Sequence, residues 1–101
     1  MKQKGIFHME LKFFYRPGCP YCRQAEELLT ELFAERPEFK TIPLRRVNEN
    51  AEAALAEQYD YWYVPTFFLG DEKLYEADAR DGEKTVREKL TRVLETALER
   101  K

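Results

Sequence analysis

The sequence predicts an α/β domain with the element order β-α-β-α-β-β-α, a four-stranded mixed sheet flanked by three helices. Three observations predict it. Apolar residues alternate with period two up to Pro17-Gly18, then recur at helical spacing from Pro20 onward. The same change, from a short apolar run to a helical pattern, repeats downstream of Lys40. Gly70-Asp71, set between two apolar runs, marks a hairpin.

The elements follow in order. Leu11, Phe13 and Tyr15 alternate with Lys12, Phe14 and Arg16, and Phe14 makes this first strand apolar on both faces, as a central strand requires. Pro17-Gly18 ends it. Ala25, Leu28, Leu29, Leu32 and Phe33 line one face of the first helix, which Pro37 closes. Lys40 to Val47 reads as the second strand, and Pro43, which cannot donate to a ladder, assigns it to a sheet edge. Asn48 or Asn50 caps a second helix whose expected inner face is Ala51, Ala54, Leu55, Gln58, Tyr59 and Trp62. Thr66 to Leu69 and Lys73 to Tyr75 form the hairpin. Asp81-Gly82 opens the last helix, with Val86, Leu90, Val93, Leu94, Ala97 and Leu98 apolar.

Two parallel strands joined by a helix make a right-handed crossover. The expected sheet has the first strand inside, the Pro43 strand at one edge and Lys73 to Tyr75 at the other. The first and last helices cover one face and the middle helix the other.

At 101 residues the chain has room for one core. Residues 1–9 read as an N-terminal extension, with Met9 as an alternative start, and 10–101 as the domain. An aromatic content of 14% argues against disorder. With 17 Lys plus Arg against 19 Asp plus Glu, the net charge is -2, without the basic excess of a nucleic-acid or anionic-membrane binder. No apolar run approaches a membrane span, and the first residues lack an apolar signal-peptide core, so a cytoplasmic monomer is expected.

The two cysteines, Cys19 and Cys22, are too few for a secreted disulfide scaffold of this length. They fall where the first strand gives way to the first helix. Cys19 takes the helix N-cap, where unpaired N–H groups and the helix dipole favour a thiolate, and Arg16 and Arg23 add positive charge. Pro20 suits the first helical position. Cys22 lies about one turn on, placed to close a disulfide with Cys19. The expected chemistry is dithiol–disulfide exchange: Cys19 attacks a substrate disulfide, and Cys22 resolves the mixed disulfide. A zinc site needs four ligands, and only His8 could add a nitrogen. The alternative is a binding module, or a dimer sharing a metal or iron–sulfur cluster through the pair. No resident metal is expected.

Val64-Pro65 precedes the third strand, about 45 residues after the pair. A proline at such a turn, read with the cysteines, predicts a cis bond that aims the Val64 backbone toward Cys19, where an extended substrate could pair. Within Tyr59-Asp60-Tyr61-Trp62-Tyr63 the expectation is core packing. The functional alternative is an exposed rim of Tyr63, with Tyr61 or Trp62, beside Cys19. Arg45-Arg46 reads as a solvated strand edge.

The segment Phe14-Tyr15-Arg16-Pro17-Gly18-Cys19-Pro20-Tyr21-Cys22, with Val64-Pro65, resembles the thioredoxin superfamily, above all the dithiol glutaredoxins and small glutaredoxin-like thioredoxins. The resemblance implies a thioredoxin-like fold and a thiol–disulfide oxidoreductase, with Cys19 as nucleophile and Cys22 as resolving thiol. It also implies that Arg16, Pro20, Tyr21, Tyr63, Val64 and Pro65 form the substrate groove. Protein disulfides are the implied substrates. A thioredoxin-reductase-like enzyme or glutathione is the implied electron donor. Glutaredoxins carry paired glycines after the hairpin and then an Asp for the glutathione amino group. Here the chain reads Glu76-Ala77-Asp78-Ala79-Arg80-Asp81, with Asp78 or Asp81 as the substitute, so weak glutathione binding is expected. No Trp precedes the pair and no Asp lies before Asp60, which separates the chain from full thioredoxins.

Overall fold

The computed structural model describes residues 10–100, so the extension expected over 1–9 lies outside the described residues. Four strands, β1 (Leu11–Tyr15), β2 (Leu44–Asn48), β3 (Thr66–Leu69) and β4 (Glu72–Glu76), form one sheet in the order β2-β1-β3-β4. β1 runs parallel to β2, with Phe14 opposite Val47, and antiparallel to β3, with Phe13 opposite Phe67. Helices α1 (Pro20–Glu35), α2 (Ala53–Ala56) and α3 (Glu83–Arg100) complete the order. The thioredoxin-like topology expected above, with the Pro43 segment leading to one edge and β4 at the other, is observed.

The period-two alternation of β1 divides the interior into two cores. Leu11 and Phe13 face Phe67, Leu69, Leu28 and Leu29 of α1, and Leu90 and Leu94 of α3. The Phe13 and Phe67 rings stack at 4.6 Å between centroids. On the other face, Phe14, Val47, Val64 and Phe68 pack with Cys22, Leu55, Tyr59 and Tyr61. Ion pairs link the helices over the first core, including Arg87 to Glu31 at 2.6 Å and Arg36 to Glu95 at 2.8 Å. The first is exposed and the second only part-buried at the surface, and such surface pairs contribute only about 0–1 kcal/mol each.

Two expectations are corrected. β2 begins at Leu44 rather than Lys40. Pro37–Thr41 forms a 3₁₀ turn that plugs the fully buried Phe39 into the first core, which ties this stretch down before the strand starts. Pro43 thus precedes the strand, and its carbonyl accepts the Leu11 N–H at 2.8 Å. The second helix is a single turn, Ala53–Ala56, and does not continue to Trp62. Asn48 Oδ1 takes the N–H groups of Asn50 and Ala51, so the chain turns before it coils. Ala51, Ala54 and Gln58 are exposed, while Leu55 and Tyr59 are partly buried. An alanine-rich stretch offers little apolar area to hold a longer helix on the sheet.

Candidate active site

Pro17-Gly18 carries the chain from β1 to α1, and Gly18 adopts φ 79°, a left-handed backbone that glycine takes at least cost. Cys19 follows in extended conformation as the N-cap, and its Sγ accepts the Cys22 N–H at 3.2 Å. Its carbonyl accepts the Arg23 N–H at 3.0 Å, and Pro20 occupies the first helical position without an N–H to leave unpaired. Both cysteines are free thiols; Cys19 is half-buried and Cys22 buried. The Val64–Pro65 bond is cis, and the Cys19 thiol donates to the Val64 carbonyl at 3.9 Å. Residues 45 positions apart thus meet at one sulfur.

A groove of about 600 Å³ is lined by Tyr21 and Val64, by Trp62 and Tyr63, by Glu76 at the end of β4, and by the β4–α3 loop from Ala77 to Arg80. The thioredoxin family model matches residues 8–96, most of the chain. The chain belongs to the thioredoxin family. No curated protein matches it significantly. Membership in the thioredoxin family, with two cysteines one turn apart, supports a thiol redox role.

The predicted site residues divide on this thioredoxin scaffold. Tyr21, Tyr63, Val64 and Asp78 line the groove together. Pro20 is exposed at the start of α1, and Pro65 is buried behind Val64. Arg16 stands apart: it lines a smaller hollow with Cys19, Cys22, Arg23 and Glu26, and its guanidinium donates to Glu49 at 3.0 Å. Glu49 also accepts the Tyr61 hydroxyl at 2.7 Å, which draws Arg16 toward the second core. Burial, then the bond to Glu49, pushes the Tyr61 phenol above its ordinary range. Among the described residues, no three His, Cys, Asp or Glu side chains gather as a metal-binding cluster.

The all-core expectation for residues 59–63 is corrected. Tyr59 and Tyr61 pack on Phe14 with centroids at 4.9 and 5.1 Å. Trp62 is 84% and Tyr63 68% exposed, and with Tyr21 at 51% they are the exposed large hydrophobic residues of the described chain. All three border the groove. Alternation along an irregular loop, rather than helical periodicity, sends Tyr61 inward and its neighbours outward.

The Glu76 carboxylate is engaged within the fold. Its Oε2 accepts the N–H groups of Trp62 and Tyr63 at 2.6 and 2.8 Å, and its Oε1 accepts Lys73 at 2.7 Å. Burial pushes its pKa up, but Lys73 and the two N–H groups outweigh burial and hold it below the ordinary carboxylate value. Asp78 accepts the Arg80 guanidinium on both oxygens, at 3.0 and 2.7 Å, and those bonds hold its carboxyl well below the usual range. Asp81 pairs with Lys89 at 3.0 Å, outside the groove lining. The Glu76 contacts had no signal in the sequence, since they depend on where β4 meets the loop before β3, whereas the Asp78–Arg80 pair is a local contact between residues two apart in one loop.

Burial, then the hydrogen bond with Cys19, pushes the Cys22 thiol from 9.0 up to about 12. At neutral pH Cys22 is therefore a protonated thiol. The folded state binds this proton more tightly than the unfolded chain, so the associated stability is present below about pH 9 and lost as pH rises toward about 12. Burial also moves Tyr75 from 10.0 to about 12, in the same direction. The thermal midpoint of the reduced protein should fall through this alkaline window, and Cys22→Ala should reduce the fall. An identical alkaline slope in the variant, followed by circular dichroism, would remove Cys22 from the account.

Proposed function

We propose that the protein is a dithiol–disulfide oxidoreductase that acts chiefly on protein disulfides, as a cytoplasmic monomer. The observation that carries this reading is the Cys19 sulfur at a helix N-cap, beside the Val64 carbonyl and an aromatic-rimmed groove. The Cys19 thiolate attacks one sulfur of a substrate disulfide, and the other leaves as a thiolate that takes up a proton. Cys22 loses its proton and attacks the Cys19 sulfur, forming the Cys19–Cys22 disulfide and expelling the second substrate thiolate. Two electrons pass to the substrate, and an external thiol or reductase resets the pair.

Tyr21, Trp62 and Tyr63 support a protein substrate, because rigid aromatic side chains favour protein contacts. The loop supports poor use of glutathione. Ala77 and Glu76 carry side chains where a close backbone approach would need glycine, and Asp78 has both oxygens committed to Arg80. Losing one charge-assisted contact costs about 1.5–3 kcal/mol, roughly tenfold to a hundredfold in affinity. The test supplies the oxidised protein with glutathione or with a thioredoxin reductase and NADPH. Faster reduction by the reductase, with slow turnover of a glutathionylated peptide, is expected. Turnover of that peptide at the rate of a dithiol glutaredoxin would overturn the preference.

A further inference from the structure

We infer that Glu76 is a positioning residue that latches the loop over residues 60–63 and so sets the aromatic wall of the groove beside Cys19. This rests on the oxidoreductase reading. The loop lies between two anchored points, Tyr61 in the second core and Val64, whose carbonyl meets Cys19. Trp62 and Tyr63, between them, have exposed side chains and lie outside helix and strand, so neither side-chain burial nor a ladder fixes them. Two consecutive backbone N–H groups there converge on one oxygen of Glu76. Lys73 grips the other oxygen and also donates to the Asp60 carbonyl at 3.0 Å. Both side chains project from β4, so the hairpin edge holds the loop at three backbone groups. A carboxylate is suited to this task because it accepts both N–H groups with charge assistance while the ammonium balances its charge. The Thr66 hydroxyl, donating to the Tyr63 carbonyl, fixes the loop's exit.

A small disulfide needs the Cys19 sulfur and little else, whereas a protein disulfide must also lie along the wall the loop provides. Glu76→Ala should therefore lower kcat/KM for a protein disulfide such as insulin by about tenfold to a hundredfold, the cost of misplacing a positioned substrate. Turnover of bis(2-hydroxyethyl) disulfide should fall far less than that of the protein disulfide, since the sulfur chemistry is untouched. Glu76→Gln, which keeps an acceptor oxygen, should recover part of the loss. Trp62 is the only tryptophan of the chain, so its fluorescence anisotropy reports the loop directly and should fall in Glu76→Ala while far-ultraviolet circular dichroism is unchanged. If Glu76→Ala fails to fold, the same comparisons are made on Glu76→Gln. Equal losses on both substrates, no loss on either, or unchanged anisotropy would overturn the latch. Wild-type protein inactive on both substrates would instead sink the oxidoreductase reading, and the anisotropy of Trp62 alone would then decide the latch.

Discussion

Replacing Cys19 by Ser is expected to abolish disulfide reduction, with a loss on the order of a thousandfold or more, the scale seen when a nucleophile is removed. A serine hydroxyl keeps the N-cap, so the fold should survive and the loss should be chemical. Replacing Cys22 by Ser gives a different outcome. Cys19 can still attack, but no thiol sits one turn on to resolve the product, so a mixed disulfide on Cys19 should accumulate. Mass spectrometry of the trapped species distinguishes the two variants. Residual activity in Cys19→Ser near the wild-type rate, or trapping on Cys22, would reverse the roles given to the two sulfurs. The assignment rests on exposure and geometry: Cys19 is half-buried with its thiol on the carbonyl of Val64, a groove residue, whereas Cys22 is only 5% exposed.

The largest stability loss is expected at Phe14. This side chain is fully buried in the central strand and contacts Tyr59, Tyr61 and Phe68, with centroids at 4.9, 5.1 and 5.8 Å. Phe14→Ala should cost about 3–5 kcal/mol, through lost burial and the cavity left behind. A domain of this size has about 5–15 kcal/mol in total, so the variant should be near its unfolding threshold at 37 °C. Urea unfolding measures the change as a shift of midpoint. A loss below about 1 kcal/mol would mean that the aromatic cluster collapses onto the space, and that the second core is not as tightly packed as its geometry indicates.

Phe14 also shows why the sheet was legible. An apolar residue on each face of a five-residue strand identifies a central position without any tertiary information, because only a strand covered on both sides buries both sets. The hairpin at Gly70-Asp71 and the long helices were legible for the same local reason, their periodicity. The second helix was not. Ala51 to Trp62 has roughly helical spacing of apolar residues, but the Asx turn at Asn48 delays the start of the helix and the pull of the second core on Tyr59 and Tyr61 ends it after one turn.

The sequence by itself determined where the two sulfurs sit. Two cysteines three positions apart at a strand-to-helix junction fix a capping sulfur and a second sulfur one turn on through helix geometry alone. Tertiary structure alone decided the surroundings of that sulfur. Arg16 turns to Glu49, and Glu76 spends its charge on the Trp62 and Tyr63 backbone rather than on a ligand. Each of these choices is between competing partners of similar strength, and a carboxylate bonds whichever donor the packed strands and loops bring within about 3 Å. Periodicity carries no record of that distance, so the aromatic wall and its latch emerge only when β4 lies beside the loop that precedes β3.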